Sequence, residues 1–226
     1  MAGANIQSIL FDLDGTLTDP KVGITTCIRH ALTSLGTSCG GQELDWCIGP
    51  PLIQSFTSLL DTQNPAVLNQ ALLLYRERFA TVGLYENQLY PEVKTGLQQL
   101  MRADFKLYLA TSKPHVYARQ ILQYFQLGQF FTAIHGSELS GERTDKTELV
   151  GYIIEQEKLD PERCVMVGDR CYDIAGAKNN HITSVAVGYG YGSATELREA
   201  EPDYTFQEFS AVVAFLLQAK SKALCG

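Results

Sequence analysis

Paired cysteines are missing from this sequence. Its six, Cys27, Cys39, Cys47, Cys164, Cys171 and Cys225, form no CxxC pair and no dense framework, which argues for reduced thiols and against a zinc site. Long hydrophobic runs are missing as well. Although 45% of the 226 residues are hydrophobic, no stretch approaches the roughly 20 apolar residues of a membrane span. The N-terminus carries no basic region followed by a long apolar run and a cleavage site, so the expected location is cytoplasmic, with no membrane partner. Positive charge is scarce: 18 basic residues face 25 acidic ones, for a net charge of -7. That balance argues against a nucleic-acid polymer as partner. An anionic small molecule stays compatible if a metal and a few local cations hold it. Histidine pairs at ligand spacing are absent too, and His30, His115, His135 and His181 are expected as ordinary surface or core residues.

What is present is concentrated first in Ile6 to Thr16. Ile9, Leu10 and Phe11 make a compact β-prone run, suited to a strand buried on both faces of a parallel sheet. The run ends in Asp12 and Asp14, and in open α/β sheets ligands bind at that carboxyl edge. Alternate residues of an extended segment point the same way, so both carboxylates can converge on one site. Two such charges repel unless a cation or a shared proton intervenes, and a hard ion such as Mg2+ suits oxygen ligands of this kind.

From Lys21 to Leu35 the period becomes helical, with apolar residues recurring at Val22, Ile24, Cys27, Ile28, Ala31, Leu32 and Leu35. Gly36 to Gly41 breaks it, a short helix is expected through Leu60, and Asn64-Pro65 opens another with Val67, Leu68, Ala71, Leu72, Tyr75 and Phe79 aligned. Residues 17–85 therefore read as an all-helical insertion without a convincing strand. Alternation resumes at Tyr90-Pro91. Strands are expected at Lys106–Thr111, near Ala133-Ile134, at Cys164–Asp169, at Ile182–Val187 and at Tyr204–Phe206, separated by helices of about 10 to 15 residues. Asp145 and Glu148 have capping-box spacing, which puts Lys146 in a first helical turn, where the dipole disfavours a cation unless it faces an anion. The fold class is thus α/β, a doubly wound parallel sheet, with residues 1–16 and 86–226 forming a Rossmann-like core and 17–85 a smaller all-helical domain. Three strand ends present polar groups: Asp12 and Asp14, Thr111 and Ser112, and Asp169 with Asp173.

Asp12-Leu13-Asp14-Gly15-Thr16, Thr111, Lys146 and Gly168-Asp169-Arg170-Cys171-Tyr172-Asp173 resemble, in order, the four motifs of the haloacid dehalogenase-like hydrolase superfamily. The wording of Thr111-Ser112-Lys113-Pro114, His135 to Leu139 and Gly188 to Gly192 is similar to the phosphoglycolate phosphatase and 5'-nucleotidase branch, whose helical cap follows the first motif as residues 17–85 do here. The resemblance implies a Mg2+-dependent phosphatase of small phosphate monoesters, with nucleoside 5'-monophosphates preferred over phosphoglycolate. In it Asp12 is the nucleophile that forms an aspartyl-phosphate and Asp14 the general acid and base. Mg2+ sits on the Asp12 carboxylate, the Asp14 carbonyl and Asp169, while Thr111, the Ser112 N–H and Lys146 grip the phosphoryl oxygens. Asp173 either orients Lys146 or ligates the metal. Gly15, Ser112 and Lys113 are candidate substrate contacts in the core, and Gly49 and Pro50, within Ile48–Leu52, in the cap. One departure is Thr147 after Lys146, where many relatives carry proline.

Gly188-Tyr189-Gly190-Tyr191-Gly192 imitates a phosphate-cradling loop but follows a late strand and leads into Ser193-Ala194-Thr195-Glu196, which has capping-box spacing. It is expected as a structural turn. The segment Lys220–Gly226 is expected as a helix end, and periodicity does not separate interface from core, so no oligomeric state is assigned. A sugar phosphomutase with the same nucleophile, or a non-catalytic binding protein, are the alternative functions.

Overall fold

The computed structural model describes residues 6–38 and 40–224. In chain order its elements are β1 (Ser8–Phe11), β2 (Thr18–Asp19), α1 (Lys21–Ser34), α2 (Leu52–Leu60), α3 (Pro65–Arg78), β3 (Gln88–Leu89), α4 (Val93–Arg102), β4 (Lys106–Pro114) and α5 (His115–Tyr124). They continue as β5 (Ala133–Ser137), α6 (Lys146–Glu157), β6 (Cys164–Gly168), α7 (Cys171–Asn179), β7 (Thr183–Val187), α8 (Ala194–Ala200), β8 (Tyr204–Phe206) and α9 (Phe209–Leu224). The C-terminal segment is helical through Leu224, and its last two residues lie outside those described, as does Cys39. No helix among the described residues is long and apolar enough to cross a membrane. Cys27, Cys47, Cys164 and Cys171 are free thiols.

The chain divides into two compact units, Met1–Thr18 with Leu89–Gly226, and Asp19–Gln88. In the first, six strands form one sheet in the order β5-β4-β1-β6-β7-β8, and all its pairings are parallel. This is the doubly wound α/β sheet that the strand pattern predicts. β1 lies at the centre, and Ile9, Leu10 and Phe11 are fully buried. Alternation explains how one short strand serves two faces. Leu10 joins Tyr108, Met166, Leu149, Val150 and Ile153 in a core beneath α6. Phe11 meets Phe209 of α9 at a ring separation of 5.9 Å. Because β4 and β6 flank β1 on either side, their carboxyl ends open beside that of β1, which gathers the polar strand ends into one place.

The second unit is built on α1, α2 and α3. Ile24, Cys27, Ile28, Ala31 and Leu32 of α1 are buried, as are Leu68, Ala71 and Tyr75 of α3, whereas Val22, which shares the helical period, is 55% exposed. Asn64 caps α3 by accepting the Ala66 N–H at 3.0 Å, with Pro65 in the first turn. A strand interrupts the region read as all-helical: Thr18–Asp19 pairs with Gln88–Leu89 as a separate two-stranded sheet, and two residues are too few for a period to reveal. A π-helical turn, Phe79–Gly83, follows α3.

Beyond it, Arg78 grips Glu86 with two bonds, 2.7 and 2.9 Å, and also touches the Cys27 sulfur at 3.2 Å. The guanidinium bonds hold the Glu86 carboxyl below its ordinary value against the opposing effect of burial. Ionised Glu86 therefore contributes stability above the ordinary carboxylate range, and this is lost as pH falls through the depressed value. Glu86→Gln is expected to lower stability by about 1 kcal/mol at neutral pH. In thermal melts the gap between variant and parent should close below pH 4 or so, since the unfolded-state carboxyl titrates near 4.5.

Candidate active site

Past Phe11 the Asp12 N–H still pairs with the Val167 carbonyl of β6 at 2.9 Å. The chain then folds into a tight turn in which the Leu17 and Thr18 N–H groups both reach the Leu13 carbonyl at 2.9 Å, with Gly15 at a φ of 87°. Asp12 and Asp14 are both buried on this turn. Four carboxylates, those of Asp12, Asp14, Asp169 and Asp173, are thus gathered with two lysines, Lys113 and Lys146. An oxygen from each of Asp12, Asp169 and Asp173 lies within 4.8 Å of the others.

Lys146 opens α6, whose N-cap Asp145 accepts the Glu148 N–H at 3.0 Å. Its ammonium is 2.8 Å from Asp12 Oδ1, 2.8 Å from Asp173 Oδ1 and 2.9 Å from the Ala110 carbonyl. Burial alone lowers this ammonium, but the Asp12 and Asp173 carboxylates reverse that and hold it above its usual value. Hydrogen bonds to Asp12 and to the Ala110 carbonyl, with the ion pair to Asp173, fix Lys146 against Asp12. Asp173 also accepts the Arg170 N–H through Oδ2 at 3.1 Å.

Lys113, expected as a substrate contact, lies 2.8 Å from Asp14 Oδ2. The other oxygen of Asp14 is buried without a hydrogen-bond partner among the described residues. Burial raises the Asp14 carboxyl, the Lys113 charge opposes that, and the charge of Asp12 adds to the rise. The Thr111 hydroxyl oxygen accepts the Lys113 N–H at 3.2 Å, and the Ser112 carbonyl accepts the Ser137 hydroxyl at 2.7 Å. Gly49 and Pro50 belong to the second unit, between a 3-10 turn and α2, and are half-buried.

Asp169 is completely buried. Burial, then the charges of Asp173 and Asp12, push its carboxyl well above the usual range. A buried cluster of three acids with two carboxyls so perturbed fits a hard cation, because oxygen donors and excess negative charge are what such an ion requires.

Several participants escape sequence reasoning. The Thr16 hydroxyl and the Tyr191 N–H both donate to Asp169. Glu196 does not complete the box with Ser193. Ser193 accepts the Glu196 N–H at 3.0 Å, but the Glu196 carboxylate turns to Arg170 and to the Cys171 N–H, each at 2.9 Å, since a guanidinium partner binds it more strongly than a lone amide. A cleft of about 550 Å3 opens elsewhere, along the outer edge of β5. Its His115 and Arg143 pair with Glu138 and its His135 with Glu157, and Glu138 is the one acid in its lining, so it offers no converging acids.

Residues 9–187 match the family described as haloacid dehalogenase-like hydrolase. A 5'-nucleotidase of Pseudomonas aeruginosa is 42% identical over 212 residues, covering 93% of this chain and 96% of that protein. Tyrosine-protein kinase PtkA of Mycobacterium tuberculosis is 36% identical over 193 residues, 85% of this chain and 65% of that protein. Among solved structures, a predicted phosphatase from Clostridium acetobutylicum superposes with a TM-score of 0.89 at 34% identity, covering 94% of this chain and 99% of that one. With its acids gathered at the carboxyl ends of β1 and β6, the chain belongs to the haloacid dehalogenase-like hydrolase family.

Proposed function

We propose that this phosphoric monoester hydrolase works through an aspartyl-phosphate on Asp12, with Mg2+ as cofactor and nucleoside 5'-monophosphates as the preferred substrates. The observation that carries the reading is the Lys146 bridge, which holds Asp12 through one oxygen at 2.8 Å. The other oxygen is left to attack phosphorus, splitting one difficult displacement into two easier ones. Asp14 is two residues away, and its raised carboxyl suits a group that must carry a proton to the leaving alkoxide and later take one from water. An acid there favours phosphoryl transfer over carbon–halogen cleavage, whose halide leaves without a proton.

The ligands would be the Asp12 carboxylate, the Asp14 carbonyl and Asp169; a bound Mg2+ would neutralise charge as two anions approach. Asp173, engaged with Lys146 and the Arg170 N–H, keeps Lys146 aimed at Asp12. Thr111 and the Ser112 N–H are assigned to the phosphoryl oxygens, and Gly15 to the close approach of substrate. The second unit is assigned as the cap, with Gly49 and Pro50 on its specificity loop. The Pseudomonas relative supports the substrate order.

The test is phosphate release from a panel of phosphate monoesters, with Mg2+ and with EDTA. Nucleoside monophosphates are expected to turn over fastest, and chelation to stop release. Phosphoglycolate winning would reverse the substrate order alone. Isomerisation of a sugar phosphate with little free phosphate would establish a mutase, and no metal-dependent release from any ester would remove the proposal.

A further inference from the structure

The geometry points to Tyr189 as a positioning residue: the Gly188–Gly192 turn sets the Asp169 carboxylate, directly and through Thr16, for the cation that Asp169 would bind. This inference rests on the Mg2+ reading above.

Each Asp169 oxygen receives one donor. The Thr16 hydroxyl donates to Oδ1 at 3.1 Å, and the Tyr191 N–H to Oδ2 at 2.7 Å. A carboxylate oxygen accepts about two bonds, so one donor on each fixes the plane of the group and leaves capacity on both. The two donors come from segments far apart in sequence, and Tyr189 joins them. Its phenol O–H donates to the Thr16 carbonyl at 2.7 Å, while its ring packs against Tyr90 at 4.8 Å. Tyr90 is itself held, its N–H bonding the Leu17 carbonyl at 3.2 Å. The turn thus supplies one donor to Asp169 and steadies the residue that supplies the other.

The glycines tell the same story. A plain turn uses glycine for a left-handed backbone, yet the glycines with positive φ among the described residues are Gly15, Gly36, Gly40, Gly49 and Gly141, and none belongs to this turn. Close approach is what requires them here. A methyl on Gly190 would lie 2.4 Å from Asp169 Cβ and 2.4 Å from the Gly15 carbonyl oxygen, and one on Gly15 would lie 2.2 Å from Asp169 Oδ2. Two glycine-bearing segments close on one carboxylate, more than a connection from β7 to α8 needs. Partners of this outer kind orient a ligand and tune its metal affinity.

The experiment compares wild type with Tyr189→Phe, titrating MgCl2 alone against melting temperature and, separately, against phosphate release. Tyr189→Phe is expected to need roughly tenfold more Mg2+ for half-maximal effect in both. At saturating Mg2+ its KM should stay within about twofold of wild type, and kcat should recover, as a shift confined to metal affinity requires. If Tyr189→Phe does not fold, Thr16→Val and Thr16→Ser carry the test: removing the hydroxyl should reproduce the shift and restoring it should rescue. Unchanged Mg2+ midpoints in these variants, whether or not melting temperature falls, would overturn the inference while leaving the metal reading intact. A wild type indifferent to Mg2+ in both titrations would take down both.

Discussion

Asp12→Asn is expected to reduce phosphate release on the order of 10^4-fold or more, with every ester alike, because removing a nucleophile abolishes the covalent route. The substitution is nearly isosteric, and Lys146 keeps Asp173 at 2.8 Å and the Ala110 carbonyl at 2.9 Å, so the buried ammonium is not stranded and the protein should fold. Asp14→Asn is expected to behave differently. Loss of a general acid matters most when the leaving group is a basic alkoxide, and about 10^2 to 10^4 in rate is the usual scale. With an aryl phosphate, whose leaving group needs little help, Asp12 should still be phosphorylated. Without Asp14 to activate water, the adduct should then accumulate and appear as a phosphoryl-shifted mass in quenched protein. Asp12→Asn should show no adduct with either ester. Equal losses in the two variants, with no adduct in Asp14→Asn, would remove the division of roles.

The second large effect concerns metal and protons together. Burial and neighbouring acids raise the carboxyls of Asp169 and Asp173, in Asp173 against the opposing charge of Lys146. A raised carboxyl contributes stability that is present below its unfolded value and is lost as pH rises through its folded one. The metal-free protein should therefore lose stability as pH climbs above the ordinary carboxylate range near 4. Mg2+ needs its ligand Asp169 ionised, so it must displace the proton that this acid holds. Apparent Mg2+ affinity is expected to rise with pH, by up to about tenfold per unit for each proton displaced, and to level off once the acids are ionised. Calorimetric titration in two buffers of different ionisation enthalpy would read the released protons. With EDTA the melting temperature should fall most at neutral pH and little in acid, and a pH-independent affinity would contradict the assignment of these ligands.

Much of this was legible before any coordinates. Strand assignments depend on short apolar runs, and Ile9, Leu10 and Phe11 announce themselves because a strand buried on both faces has no polar alternation to confuse. Asp145 as the cap of α6 and Asn64 as the cap of α3 are local, three-residue matters of hydrogen bonding, so spacing reveals them. The exposure of Val22 is not legible in the same way, because a helical period defines a face, not how far that face is covered. Glu196 was misread for a related reason. Its spacing from Ser193 is right for a box, but an arginine 26 residues away competes for the carboxylate, and no local pattern records that.

By itself, then, the sequence determined the α/β class, the succession of the six core strands, and which residue types stand at the carboxyl ends of β1, β4 and β6, because these follow from periodicity and from short-range chain geometry. Only the tertiary structure decided who faces whom. The ammonium of Lys146 is held between Asp12, Asp173 and the Ala110 carbonyl, Lys113 is paired with Asp14, and the turn expected as structural donates to Asp169. Such pairings join residues up to 173 positions apart, and they depend on sheet order and helix docking, which single-chain periodicity does not encode.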